Sequence, residues 1–173
     1  MRYGAFDYFS GGDLPGTAEK PETPATRDME SAVAWVTGPV DVAVLGHHGN
    51  ADATSAFFLS VIQPRVCITQ VWDSQHVAPK TLARLRSESI APGPRDLFMT
   101  NGGWAGREEH IVRVFGEEIG RKHIEDLRSA IAAQQGHIVV RVAPGGGSYE
   151  VIVLDDANES MRVRSVHGPY QSR

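Results

Sequence analysis

The sequence predicts an α/β domain with a mixed sheet and flanking helices, and three observations support this class. Between residues 27 and 101 the pattern alternates three times between helical spacing and short apolar runs typical of buried strands. An aromatic segment, residues 2–9, precedes this region, and a strand–turn–strand pattern, residues 137–155, follows it. Alternation of this kind is typical of parallel sheets, because parallel strands need a long crossover that returns across the sheet.

Short apolar or aromatic runs predict four strands in the first part of the chain. These strands cover residues 2–9, 41–46, 65–71 and 96–101. Between the first two strands, residues 17–26 are polar and contain two prolines, which predicts a loop. The single cysteine, Cys67, lies inside the third strand, where a free thiol is expected to be buried and unreactive.

Apolar residues at helical spacing predict the crossover helices. The first helix covers residues 27–37 and ends at Gly38-Pro39. The second begins at a Thr54 or Ser55 cap, carries Phe57 and Phe58, and ends at Pro64. The third opens at Pro79, because proline is favoured at the first helical position.

The remaining chain predicts a C-terminal extension that packs on the same domain. We expect residues 1–104 to form the main α/β unit and residues 105–173 the extension. A helix is predicted over residues 117–135, followed by a hairpin that turns at residues 144–147 and a final strand near residues 162–170.

Composition and charge limit the classes of function. The 173 residues suffice for one domain or at most two small ones, and one cysteine excludes both an internal disulfide and a cysteine-based zinc cluster. No apolar run is long enough to span a membrane and no export signal is visible, which predicts a cytoplasmic protein without a membrane partner. The net charge of −4 gives no reason to expect a general attraction to nucleic acid.

Candidate functional residues follow three of the predicted strands. Asp13 lies in a glycine-rich turn after the first strand, His47 and His48 follow the second, and His76 follows the third. Carboxyl ends of parallel strands share one edge of a sheet, so these side chains are expected to meet there. A carboxylate with imidazoles suits a divalent zinc or manganese ion.

Simpler interpretations exist for each of these residues. Asp13 fits an ordinary Asx turn or helix cap, and a loop histidine such as His76 is commonly only solvated. The adjacent pair His47-His48 is less ordinary, because two imidazoles after an apolar strand need partners. The other histidines lack ligand spacing, which predicts surface or capping positions for His110, His123, His137 and His167.

The order of these motifs resembles the C-terminal half of the metallo-β-lactamase fold, and most nearly its ComEC-like branch of DNA-uptake hydrolase domains. In that branch a Gly-Asp follows a strand, as Gly12-Asp13 does here. An apolar strand then leads into His-His-Gly-Ser, matched by residues 41–50 with Asn50 in place of the serine. A later His-Pro-His-Pro corresponds to residues 76–79, of which His76 and Pro79 match. The resemblance covers about residues 3–86.

The resemblance implies half of a four-layer αββα sandwich that binds one or two zinc or manganese ions and hydrolyses a phosphoester, ester or amide. It implies that Asp13 bridges the metals and that one histidine of the pair, His47 or His48, is the last ligand, with a preference for His48. The other histidine of the pair then supports the site or contacts the substrate. It places His76 near the leaving group, as a catalytic residue.

The principal ligand motif of that family, His-x-His-x-Asp-His, does not occur in this sequence. We therefore expect the isolated chain to be inactive and to be completed by an N-terminal half or by a second copy of itself. Nucleic acid is expected only as a substrate of the parent hydrolase. The alternative is a metal-free assembly domain that dimerises through the apolar sheet face that a half-sandwich leaves exposed.

Overall fold

The computed structural model describes residues 1–16 and 28–173, so the predicted loop at 17–26 lies outside the described residues. The strands are β1 Arg2–Tyr3, β2 Phe6–Ser10, β3 Val42–Val44, β4 Val66–Thr69, β5 Asp96–Met99, β6 Ile131–Ala133, β7 His137–Val142, β8 Ser148–Leu154 and β9 Val163–Gln171. The α-helices are α1 Met29–Thr37, α2 Ala56–Ile62, α3 Pro79–Leu85, α4 Arg107–Phe115 and α5 Glu117–Ala130.

The first six strands form one mixed sheet in the order β1-β2-β3-β4-β5-β6. β1 is antiparallel to β2, and every later neighbouring pair in this sheet is parallel. The prediction of a mixed α/β sheet with flanking helices is therefore confirmed. Because β2 to β5 run in the same direction, their carboxyl ends meet at a single edge, and the loops that follow them lie side by side.

Three elements differ from their sequence-based predictions. The predicted strand at residues 2–9 is divided by a turn at Gly4, whose φ of +58° suits glycine, and the halves pair as β1 and β2. α4 was not predicted. The helix predicted over residues 117–135 ends at Ala130, and the next three residues form β6 beside β5. Backbone pairing with β5 there overrides the helical preference of alanine, since tertiary context routinely outweighs propensity.

β7, β8 and β9 form a second, antiparallel sheet, which confirms the predicted hairpin and final strand. Its inner face packs against the six-stranded sheet, and Phe6 meets Tyr149 edge-on at 5.1 Å between ring centroids. The face of the six-stranded sheet that was expected to be exposed is thus covered by the chain's own second sheet. The expectation was wrong for this face because β8 presents an apolar residue at every second position: Tyr149, Val151 and Val153.

The helices form a third layer on the opposite face of the six-stranded sheet. α3, α4 and α5 pack over β4 and β5 in one apolar cluster, which includes Leu82, Ile111 and Leu127. α1 and α2 pack over β3 in a second cluster around Phe58. The order of layers is therefore helices, mixed sheet and antiparallel sheet. Within residues 1–16 and 28–173, no helix combines the length and apolar character needed to cross a bilayer.

His123 is buried, so its predicted surface position was wrong. Only 2% of this residue is exposed, and burial lowers the pKa of its imidazole to about 4. The cause is its place on α5, three residues from Gly120 and four from Leu127, which makes it part of the stripe that faces the core. A histidine on this stripe is buried as a neutral ring.

We expect the free energy of unfolding to fall as the pH is lowered from 7 towards 4. The unfolded chain takes up a proton at His123 near pH 6.5, whereas the folded chain excludes it down to about pH 4. This difference corresponds to about 3 kcal/mol at roughly 1.36 kcal/mol per pKa unit. In the His123→Phe variant the unfolding free energy is expected to depend less steeply on pH in this range, because unfolding takes up one proton fewer. Urea unfolding at several pH values measures this slope.

The matched control is Ile124→Val on the same helix, which costs about 1 kcal/mol but removes no titratable group. Its pH slope is expected to equal that of the unsubstituted chain. An unchanged slope in His123→Phe would contradict the assignment of this pH dependence to His123.

Candidate functional site

Asp13 and His48 meet at the carboxyl edge of the six-stranded sheet. The turn after β2 reaches the turn after β3 through a hydrogen bond from the His47 amide to the Gly12 carbonyl, at 3.0 Å. This contact places the His48 Nε2 atom 3.9 Å from the Asp13 Oδ1 atom. The predicted convergence of strand-end residues is observed for this pair, with the Asp13 carboxylate largely open to solvent.

A hydrogen bond to the backbone determines which nitrogen of the neutral His48 ring is available. Nδ1 lies 2.9 Å from the carbonyl oxygen of Gln70. A carbonyl can only accept, so Nδ1 carries the proton and donates it. In the neutral ring Nε2 therefore holds the lone pair, and Nε2 is the atom that faces Asp13. Metal-binding histidines commonly have this arrangement, in which the other ring nitrogen donates to a carbonyl or carboxylate.

His47 forms a separate pair with Asp52. Its Nδ1 atom lies 2.9 and 3.0 Å from the two carboxylate oxygens of Asp52, and both side chains remain partly exposed. The contact orients the His47 ring and does not involve its Nε2 atom. Asp52 was not among the predicted site residues, although its position five residues after His47 in the same loop is a signal that could have indicated it.

His76 also joins this group, but as a buried ring. It is 3% exposed and stacks on His48 with ring centroids 5.1 Å apart and an angle of 14° between the planes. Trp72 contacts the His76 ring edge-on at 5.3 Å. Burial, followed by the nearby His48, lowers the pKa of His76, which favours a neutral imidazole. The structure therefore brings His76 to the site behind His48, and its catalytic role stays a prediction.

The histidine pair occupies a left-handed turn. The φ angles are +45° at His47, +58° at His48 and +78° at Gly49. A left-handed conformation costs a non-glycine residue about 1–2 kcal/mol, so the turn needs support from its surroundings. Three donors hold the carbonyl oxygens of this turn and of the residue after it. Thr69 Oγ1 donates to the His48 carbonyl, the Ala78 amide donates to the Gly49 carbonyl, and Thr81 Oγ1 donates to the Asn50 carbonyl.

The buried side chain of Glu30 and the half-buried side chain of Arg84 hold the loop that follows this turn. Glu30 on α1 is 2% exposed and accepts hydrogen bonds from the amides of Thr54 and Ser55, at 2.6 and 2.8 Å. From α3, the Arg84 guanidinium donates to the carbonyls of residues 51, 53 and 54. Burial raises the pKa of Glu30, and the two amide donors oppose that shift. Neither residue was predicted to support the site.

A groove of about 480 Å³ lies next to the His47–Asp52 pair. Its walls combine polar and apolar side chains, among them Asn50, Asp52, Gln75, Lys80, Phe115 and Ile119. Trp72, which is 70% exposed, meets the His48 and His76 rings edge-on. Of the paired residues, Asp52 borders the groove, so there is room for a small molecule at the Asp52 end of the site.

The metal-ligating capacity of these residues is limited to a pair. In the part of the chain that the structure describes, no group of three or more His, Cys, Asp or Glu side chains is placed to hold one ion. Asp13 and His48 are the two predicted ligands that come together. Cys67 is buried and burial raises the pKa of its thiol to about 12, which agrees with the expected unreactive cysteine.

Comparisons with known proteins add no family assignment. No protein-family model, curated protein or solved structure matches the chain. The roles of the site residues are therefore argued from their geometry.

We expect the substitution Glu30→Ala to lower the free energy of unfolding by about 2–4 kcal/mol, because it leaves the buried amides of Thr54 and Ser55 without acceptors. Urea unfolding monitored by circular dichroism measures this change. The control is Glu125→Ala on the exposed side of α5, for which a change below about 0.5 kcal/mol is expected. Equal stabilities of the two variants would contradict the supporting role of Glu30.

Proposed function

We propose that the chain supplies part of the site of a metal-dependent hydrolase of the metallo-β-lactamase type, with Asp13 and His48 as metal ligands. The observation that carries this proposal is the hydrogen bond from His48 Nδ1 to the Gln70 carbonyl, which leaves the lone pair of Nε2 towards Asp13. The substrate class that suits the site best is a phosphodiester or another phosphate ester.

The donor atoms fit a zinc or manganese ion in kind and in spacing. One carboxylate oxygen and one imidazole nitrogen are ordinary ligands of both metals. Their separation of 3.9 Å is too long for a good hydrogen bond, and is slightly wider than the roughly 3.3 Å between two ligands of a tetrahedral zinc ion. The Asp13 side chain is 69% exposed, so rotation about its own bonds can close that gap.

The chain's other residues have distinct tasks in this proposal. When bound, the ion would activate water and polarise the substrate. Asp52 accepts a hydrogen bond from Nδ1 of His47. The opposite ring nitrogen, Nε2, is thereby directed away from Asp52 and towards the substrate. The groove beside this pair receives the group attached to the phosphate. His76 keeps the His48 ring in place from the buried side.

Two ligands are fewer than the three protein ligands of an ordinary catalytic zinc site. We propose that the missing ligands come from a second chain, either an N-terminal half of the fold or another copy of this one. The isolated chain is then expected to bind the metal weakly and not to hydrolyse a phosphodiester.

Calorimetric titration with Zn²⁺ tests the ligand assignment. Asp13→Asn and His48→Gln are each expected to weaken Zn²⁺ binding at least about tenfold, equivalent to ~1.4 kcal/mol, because each removes one of two ligands. His137→Gln, at the exposed start of β7, is the control and is expected to bind as the unsubstituted chain does. Equal affinity in all three variants would refute the site.

A second candidate function, assembly without a metal, is favoured by the outer face of the three-stranded sheet. Val139 and Val166 flank Ile152 in one cross-strand row, and they are 39% and 54% exposed. Val163 in the next row is 61% exposed. We propose a second copy of the chain as the partner that would cover this face.

Light scattering during size-exclusion chromatography tests this second candidate. A dimer is expected for the unsubstituted chain and a monomer for Val166→Lys, because a buried ammonium without a partner opposes association. The control places the same substitution on the helical layer, at the exposed Val36, and is expected to remain dimeric. A monomer at all concentrations would exclude assembly through this face.

A further inference from the structure

Arg107 connects the C-terminal helices to the candidate site. It is the first residue of α4, is only 6% exposed, and belongs to the part of the chain to which the sequence assigned no function. Its Nη2 atom donates a hydrogen bond of 2.7 Å to the carbonyl oxygen of His76. The loop that carries His76 is thus held from a helix that lies thirty residues further along the chain.

The burial of this guanidinium is not explained by stability alone. Its Nε atom has no hydrogen-bond partner among the described residues, and burial lowers the pKa of the side chain. Removing a charge from water is costly unless it is paired and hydrogen-bonded, and a single backbone carbonyl returns only part of that cost. The hydrogen bond that Arg107 does make goes to the loop that carries His76, so its burial is tied to the position of that loop.

His123 supports the next residue of the same loop from α5. The nearby Val77 backbone partly offsets the fall in the pKa of the His123 imidazole that burial causes. The Arg107 hydrogen bond holds the backbone of His76, and the His76 ring itself packs against His48 and Trp72.

The His76 ring in turn restricts His48. The two rings are stacked, with 14° between their planes, so a rotation of one requires displacement of the other. The His48 ring is also held by the hydrogen bond from Nδ1 to the Gln70 carbonyl, and Trp72 meets it edge-on at 6.1 Å. The stack and the hydrogen bond together determine where Nε2 of His48 points.

We propose that Arg107 is the positioning residue of the site: by holding the His76 carbonyl it keeps the His76 ring against His48 and directs the Nε2 atom of His48 towards Asp13. The expected effect of Arg107 on metal binding rests on the proposed function, whereas its expected effect on the orientation of the His48 ring does not. The two can therefore be tested separately on the same variants.

The experiment compares Arg107→Met with Arg107→Lys and with the control Arg113→Met, an exposed arginine on the same helix. Long-range ¹H–¹⁵N correlation spectra of the metal-free chain at neutral pH report which nitrogen of the His48 ring carries the proton. Titration with Zn²⁺ then reports the affinity. Far-UV circular dichroism identifies the variants that fold.

In Arg107→Met we expect the His48 ring to change from the single Nδ1–H form to a mixture of both neutral forms, and Zn²⁺ affinity to fall about 10–100-fold, the usual effect of losing a supporting residue behind a metal ligand. Arg107→Lys restores part of both properties, because its ammonium retains one donor. Arg113→Met changes neither. If Arg107→Met does not fold, Arg107→Gln, whose shorter neutral side chain cannot reach the His76 carbonyl, takes its place.

A folded Arg107→Met or Arg107→Gln chain whose His48 ring keeps the single Nδ1–H form would overturn the proposal. Absence of Zn²⁺ binding in the unsubstituted chain would refute the proposed function instead. In that case the His48 signals of the metal-free chain still decide whether Arg107 positions the ring.

Discussion

Three successive residues, His47, His48 and Gly49, have positive φ angles, and the rest of the site depends on that left-handed turn. It directs the two imidazoles to different carboxylates, His48 to Asp13 and His47 to Asp52. Such a turn is unfavourable in isolation, and it is supported by a hydroxyl at the end of β4 and by an amide and a hydroxyl at the start of α3, which donate to its carbonyls. The site is therefore a property of packed elements and not of a single motif.

The layered architecture explains how those elements come together. Parallel strands β2 to β4 bring three loops to one edge of the sheet. The helical layer then supports these loops from behind through buried charged groups, with Glu30 on the loop after the histidine turn and Arg107 on the His76 loop. The antiparallel sheet covers the other face and packs against it in one apolar core. Support from behind and an open edge in front leave His47 and His48 held but partly exposed, whereas His76 is buried.

The predictions from sequence succeeded where the signal is local. The apolar runs of β3 to β5 and the turn between β7 and β8 have periodic or compositional signatures, and all were found. β6 was missed because its sequence, IAA, continues a helical pattern, and only pairing with β5 makes it a strand. α4 was missed because charged residues dominate it. In the site, Asp13, His48 and His76 come together as predicted. Asp52, Glu30 and Arg107 were missed because each is a single polar residue that belongs to no motif.

The α/β class and the three loops that carry the candidate residues follow from the sequence alone, because hydrophobic periodicity and polar residues at strand ends are local properties. Only the tertiary structure decided which ring nitrogen of His48 is available, that His76 is a buried ring, and that the second sheet covers the first. Each of these depends on a contact between residues distant in the chain, such as His48 with Gln70 or Arg107 with His76. Hydrogen bonds between distant segments leave no periodic trace in a sequence, and they determine which atoms of this site are available.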